Sequence, residues 1–259
     1  AHGQIQGRYQ DGKFDQKPIP GSDIQLGLDA DLQLLGERLM EGKLGAIVAI
    51  EPKTGQILAM VSSPTFDPRE MIGKLRGKTQ HTLMLDPAKP LLNRAIMGQY
   101  PPGSTFKTSQ AVTYYTEGII SDSTRYACHH GFYFKGLHLG CHAHASPLSL
   151  VPALGTSCNA YFCWGLYHML SNRKRYKNLD DAMTVWRNYM VSMGFGYKLG
   201  IDLPGEKRGM IPNAQFYDHA FKVWNPLTVI SISIGQGEVN LTPLQIANLG
   251  LLSLTVVIT

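Results

Sequence analysis

Two short patterns in this chain bring together residue types that can activate a hydroxyl group. In Gln99-Tyr-Pro-Pro-Gly-Ser-Thr-Phe-Lys107 a serine follows a Pro-Pro-Gly turn, and Thr105 to Glu117 contains no Pro or Gly. A helix is therefore expected from about 104 to 117. Residues three apart share a helix face, which brings the Lys107 amine within reach of the Ser104 hydroxyl. Serine is a weak nucleophile until a base takes its proton, and a partly desolvated lysine can be that base. Ser-x-x-Lys alone arises often by chance. Ser157-Cys158-Asn159 lies 53 residues downstream of Ser104 and adds a second hydroxyl and an amide. The ordered pair is far rarer than either half.

The four cysteines make a third pattern. Cys128-x12-Cys141-x2-His144-x13-Cys158 offers three thiolates and an imidazole, the ligand kinds of a tetrahedral zinc site, though not at zinc-finger spacing. His129, His130, His138 and His142 crowd the same segment and could substitute. A Cys128–Cys141 disulfide is one alternative; the other is four free thiols, with Cys163 simply buried beside Phe162 and Trp164. Cys158 lies inside the Ser157–Asn159 pattern, so a metal here would pin that loop to the 128–144 segment.

These patterns need a scaffold, and 259 residues suffice for one large domain or two small ones. Hydrophobic content of 44% with 17% charged residues describes an ordinary globular interior. The net charge of +5 comes from 24 basic against 19 acidic residues, and the basic ones are scattered. Their densest cluster, Arg173-Lys174-Arg175 with Lys177, reads as a solvated loop. No zinc-finger, RNP or helix-turn-helix pattern accompanies it, so no nucleic-acid partner is expected. No apolar run approaches the ~18 residues that span a membrane, and the N-terminus is not a signal peptide. The chain opens in mid-pattern without an initiator Met, as a piece of a longer protein would. His2, His81, His168 and His219 lie apart from the patterns and receive no role. Tyr161, Phe162 and Trp164 read as core.

Residues 1–24 lack periodicity and read as the end of a preceding domain plus a linker. Ile24 to Leu28 alternates as a short strand would. Asp29 then caps a helix with Leu32, Leu35 and Leu39 on one stripe. Ala46–Ile50 and Ile57–Val61 form a hairpin, expected to be central in an antiparallel sheet. Residues 64–93 are a polar excursion and 121–146 a loop-rich one. Helices are expected at 148–156 (short or kinked at Pro152), 159–170 and 180–193. Residues 195–211 read as Gly-rich loop with a short strand, and Thr242, Pro243 and Gln245 as a helix start. The fold class is α+β, an antiparallel sheet flanked by helices.

The order and flanks of the two hydroxyl patterns resemble the penicillin-binding and serine β-lactamase superfamily, whose signature is S-x-x-K, S-x-N, then K-[ST]-G. Within it the chain is most similar to the elongation-type class B penicillin-binding proteins, the penicillin-binding protein 2 group. That likeness also rests on Gly45-Ala-Ile-Val-Ala-Ile-Glu-Pro-Lys-Thr-Gly-Gln-Ile-Leu-Ala-Met60, Leu92-Asn-Arg-Ala95, Gly200-Ile-Asp-Leu-Pro-Gly-Glu206 and Gly235-Gln-Gly-Glu238. Thr108 stands where many relatives have Pro, and Thr continues a helix at least as well. Lys53-Thr54-Gly55 matches the third motif by letters but precedes the nucleophile, and its Thr-Gly is explained by a turn. No other K-[ST]-G occurs; after Asn248 the chain runs apolar to Thr259, unlike the family.

The resemblance implies a transpeptidase fold over 25–259 without its C-terminal strands, and an N-terminal membrane helix and pedestal domain outside this chain. It implies an enzyme at the periplasmic face of the bacterial inner membrane. There Ser104 would attack the D-Ala-D-Ala bond of a peptidoglycan stem peptide. Lys107 would take its proton, Ser157 relay a proton to the leaving amine, and Asn159 hold a substrate amide and the lysine. The Ser104 N–H would be half an oxyanion hole. Gly235, Gln236 and Gly237 would bind substrate, and β-lactam antibiotics would acylate Ser104. A membrane glycosyltransferase of the elongation complex would be the partner. Some members carry a metal where Cys128, Cys141, His144 and Cys158 fall; catalysis needs no cofactor. A septal-type transpeptidase, a β-lactamase-like hydrolase, and a silent scaffold lacking K-[ST]-G are the alternatives. A chain ending here is expected to expose sheet edges and to aggregate.

Overall fold

The computed structural model describes Gln10, Lys13, Gln16 and residues 19–255, the last four of these by backbone alone. The expectations for most of the first 18 residues, and for the apolar end past 255, lie outside it. Helix α1 (Ala30–Leu39) starts where Asp29 accepts the Leu32 N–H at 2.9 Å. It lies along the hairpin of β1 (Gly45–Ile50) and β2 (Ile57–Ser63), which pair antiparallel from Gly45↔Ser63 to Ile50↔Ile57. Gly36 sets the approach of α1, because a Cβ there would come within 2.8 Å of Val61. Lys53-Thr54-Gly55 is the hairpin turn: the Glu51 carboxylate accepts both Thr54 N–H and Oγ1 at 2.7 Å, and Gly55 has φ +75°.

Several expectations need correction here. Among the described residues the hairpin is a two-stranded sheet, not the centre of a larger one. Ile24–Leu28 forms no strand; among the described residues the backbone here is tied to the hairpin by Asp29 N–H to Leu58 O. The leucine stripe of α1 is not buried: Leu35 and Leu39 are exposed, as are Leu34 and Leu44, because Gly36 faces the hairpin instead. The polar excursion after β2 holds helices α2 (Arg76–Leu85) and α3 (Arg94–Met97). The 121–146 segment contains a second hairpin, β3 (Gly131–Phe134) with β4 (Leu137–Gly140). The short strand expected in 195–211 is only a bridge from Met210 to Asn240.

The main core surrounds two helices. Helix α4 (Lys107–Thr116) continues a 3-10 turn at Gly103–Phe106, as the Pro-Pro-Gly pattern predicts. Helix α5 (Leu150–Gly155) leads into α6 (Asn159–Ser171), which buries Tyr161, Phe162, Cys163, Leu166, Met169 and Leu170 and is therefore a central helix. The two meet at Gly165, where a Cβ would lie 2.5 Å from the Tyr114 ring. Helix α7 (Leu179–Ser192), capped by Asn178, adds Trp186, whose indole N–H reaches Gln110 Oε1 at 2.9 Å. Helix α8 (Ala214–Ala220), missed in the sequence, is capped by Asn213. Helix α9 (Pro243–Thr255) begins with the expected box: Gln245 N–H donates to Thr242 Oγ1 and Thr242 N–H to Gln245 Oε1. Leu244 of α9 and Ile96 of α3 form a smaller core beneath the first hairpin. No helix among the described residues is long and apolar enough to cross a membrane.

Candidate active site

The site forms where the N-terminal ends of α4 and α6 converge. Pro102 is buried, Gly103 takes φ +59°, and Ser104 emerges exposed on the 3-10 turn. Phe106 anchors that turn in the core, against Trp186 and Phe195 at ring distances of 6.5 and 5.6 Å. The first N–H groups of a helical turn have no partner within it, which leaves the Ser104 N–H free of the turn's own hydrogen bonds.

Lys107, one residue into the buried side, is 1% exposed. Its Nζ donates to Ser157 O at 2.6 Å, Ser157 Oγ at 2.9 Å and Asn159 Oδ1 at 2.6 Å. Ser157 Oγ in turn donates to Ser104 Oγ at 2.9 Å. The four residues thus meet, with one change from the sequence reading: Lys107 reaches Ser104 through Ser157, not directly. The ammonium has three N–H donors, and Ser157 and Asn159 take all three. Burial pushes the Lys107 pKa below its ordinary value, against a weaker opposing pull from Cys141, Cys158 and Cys163. The Phe162 ring, 5.8 Å from Nζ, completes the lysine's surroundings.

Ser157 adopts φ +53°, left-handed backbone that a serine rarely takes. That conformation aims its carbonyl and hydroxyl at the same ammonium. Asn159 is held independently: its Nδ2 donates to Gly140 O at 2.8 Å, at the end of β4. Sequence reasoning missed this support because it missed the hairpin. The signal was present in Phe134-Lys-Gly-Leu137, where Lys135 and Gly136 both take positive φ, as a tight two-residue hairpin loop requires.

Cys128, Cys141, His144 and Cys158 bring their ligand atoms within 4.8 Å of one another, and all four cysteines are free thiols. A tetrahedral zinc site would need ligand separations of about 3.4–3.8 Å, from bond lengths near 2.0–2.3 Å. Cys141 Sγ and His144 Nε2 are already 3.2 Å apart. The His144 Nδ1–H donates to Ala145 O at 2.7 Å, which turns Nε2 towards Cys141, where it would offer a lone pair to a metal once deprotonated. Burial raises the Cys141 pKa, but hydrogen bonds from the Asn159 N–H, His144 and Cys128 outweigh it and bring the thiol to about 7. Burial pushes Cys158 up to about 12. The donor set fits zinc, which would lower the remaining thiols by coordination. Cys141 Sγ accepts the Asn159 N–H at 3.2 Å, so the cluster touches the hydroxyl site directly.

Gly235 is buried against Gly103, whereas Gln236 and Gly237 are exposed beyond it. The basic cluster at 173–177 is not merely solvated: Arg175 Nε donates to Glu117 at 2.7 Å.

The description of the penicillin binding protein transpeptidase domain matches residues 45–250. The chain belongs to this family. The peptidoglycan D,D-transpeptidase MrdA of Acinetobacter baumannii is 37% identical over 240 residues, covering 89% of this chain and 33% of that protein. PBP2 of Pseudomonas aeruginosa, solved in complex with WCK 5153, superposes with a TM-score of 0.76 at 30% identity, over 91% of this chain and 52% of that one. A chain from a peptidoglycan synthase complex that coordinates polymerization and crosslinking gives 0.78 at 30% identity, over 93% and 43%. The chain thus spans about a third of the length of the curated relatives it matches.

Proposed function

We propose that this chain carries the acyl-transfer site of an elongation-type peptidoglycan D,D-transpeptidase. The observation that carries the reading is the hydrogen-bonded series Ser104 Oγ, Ser157 Oγ, Lys107 Nζ, Asn159 Oδ1, with an exposed nucleophile and a buried amine. When Lys107 is neutral its lone pair takes the Ser157 proton, the Ser157 oxygen takes the Ser104 proton in turn, both hydroxyls having turned to donate towards the amine, and Ser104 Oγ bonds to the D-Ala-D-Ala carbonyl carbon. The Ser104 N–H stabilises the oxyanion. The proton returns through Ser157 to the leaving D-Ala nitrogen, and the peptide C–N bond breaks. The amine of a second stem peptide then bonds to the acyl carbon, giving up a proton that passes through Ser157 to the departing Ser104 Oγ. Asn159, fixed by Gly140 O, keeps the lysine in place and presents its amide to the substrate. Gln236 and Gly237 form the exposed rim that meets the stem peptide, and Gly235 backs them. β-Lactams acylate Ser104.

Zinc bound by Cys128, Cys141, His144 and Cys158 would cross-link the 128–144 segment to the start of α6, a structural role. Residues 1–24 close a preceding domain and linker, and residues 25–259 belong to the transpeptidase domain. By analogy with the matched synthase complex, the whole protein works beside a membrane glycosyltransferase on the periplasmic face of the inner membrane. Its product is cross-linked wall during elongation. The test is D-Ala release from a pentapeptide ending in D-Ala-D-Ala, with a D-amino acid as acceptor. Release that Ser104→Ala abolishes is expected; release that persists in Ser104→Ala contradicts the proposal.

A further inference from the structure

The residues just before Ser104 are fastened from a distant part of the chain that the chemistry above hardly uses. Tyr100 N–H donates to Leu241 O at 2.9 Å and Leu241 N–H to Tyr100 O at 2.8 Å. Gly103 N–H donates to Gly235 O at 2.9 Å. The stretch 100–103 is therefore tied at both ends to 235–241. Gly235 ends the 3-10 helix Ile230–Ile234 in left-handed backbone, φ +69°. A Cβ at 235 would overlap Gly103 O and lie 2.8 Å from both Gly103 N and Phe106 Cβ. Only glycine permits that approach. The turn cannot retreat, because Phe106 is wedged in the core between Trp186 and Phe195.

The same 3-10 helix is braced on its other side by α6. The buried Ser233 hydroxyl lies 3.5 Å from Cys163 Sγ and donates to Ile230 O at 2.7 Å. Helix α6 begins at Asn159. One short segment thus touches both halves of the site, the turn carrying Ser104 and the helix carrying Asn159.

We infer that Gly235 is a positioning residue for acyl transfer: its lack of a side chain sets Ser104 at hydrogen-bond distance from Ser157. The inference rests on Ser104 as the nucleophile. The link to be preserved is a single 2.9 Å contact between two hydroxyls. A shift of the turn by about 1 Å breaks it and slows the reaction on the order of 100-fold.

The experiment follows β-lactam acylation by intact mass over a range of drug concentrations and pH, separating non-covalent affinity from the acylation rate constant. Gly235→Ala is expected to lower the rate constant ~100-fold, a larger drop than any loss of affinity through the neighbouring Gln236 and Gly237, with the pH midpoint unchanged, as lost alignment requires. Gly194→Ala is the control for strain alone: φ there is +91° and a Cβ would lie 2.7 Å from Asn248 Nδ2, away from Ser104. It is expected to lose melting temperature yet acylate at the wild-type rate. Gly235→Ala acylating at the wild-type rate, or Gly194→Ala slowing as much, overturns the inference. Should Gly235→Ala not fold, Ser233→Ala loosens the same helix more gently and is expected to slow acylation several-fold, as partial misalignment does; a wild-type rate there overturns the inference. A wild-type protein that forms no adduct overturns the Ser104 reading itself, and this one with it.

Discussion

Ser157 is held in a left-handed backbone that costs stability while it places the relay hydroxyl, and replacing it by Gly and by Ala separates the two effects. Both variants lose the hydroxyl that accepts from Lys107 at 2.9 Å and donates to Ser104 at 2.9 Å. Both should therefore slow acylation by about 100-fold or more, the usual worth of a placed proton-transfer group. Their stabilities should differ. At φ +53° a side chain costs roughly 1–2 kcal/mol, and glycine recovers this less its own extra chain entropy of about 0.5–1 kcal/mol. The net is about 1 kcal/mol in favour of glycine, or roughly 2–4 °C in melting temperature for a domain of this size. Thermal melts, with intact-mass acylation kinetics on the same samples, read both effects. Ser157→Ala melting at or above Ser157→Gly would refute the strain argument. Ser157→Ala acylating at the wild-type rate would refute the hydroxyl relay.

The pH profile tests the base. Only the neutral amine accepts a proton, so acylation should rise with pH through a midpoint below the ordinary lysine value, since burial depresses Lys107; a midpoint at or above ~10.4 contradicts this. Glu117 supports α4 by accepting from Arg175 at 2.7 Å, Tyr176 OH at 2.5 Å and Tyr189 OH at 2.7 Å. Because Arg175 is half exposed, Glu117→Ala should cost on the order of 2 kcal/mol, mainly through the lost hydrogen bonds, measured by denaturant melts at neutral pH. Burial raises the Glu117 pKa, but these bonds outweigh it and leave the carboxyl below its ordinary value. Its contribution should thus be complete above the unfolded pKa and fade as pH falls through the folded one; a cost that stays constant into acid would be inconsistent. Zinc should be found at one equivalent per chain, and chelation should lower the melting temperature in the wild type but not in Cys158→Ser. Metal-free protein with an unshifted melt would exclude the structural metal.

Which parts were legible follows from how local their causes are. The Asp29 cap, the first hairpin, the starts of α4 and α6 and the Thr242–Gln245 box each depend on residues within a few positions, and the structure places them as read. The convergence of Ser104, Lys107, Ser157 and Asn159 was legible only through motif order, because 50 residues of intervening chain carry no spacing rule. The route of the proton was not: Lys107 faces Ser157 because the left-handed turn at 157 points two oxygens at it. The leucine stripe of α1 misled because periodicity marks an apolar face without saying what covers it. Gly36, a residue with no side chain to read, made the contact. The second hairpin was obscured by the histidines and cysteines around it.

The most direct measurement is peptide mapping of the protein after brief exposure to a penicillin. The account predicts a single covalent adduct on the peptide containing Ser104, absent from Ser104→Ala and formed slowly by Ser157→Ala. An adduct on any other residue, or none from a folded sample, would contradict it.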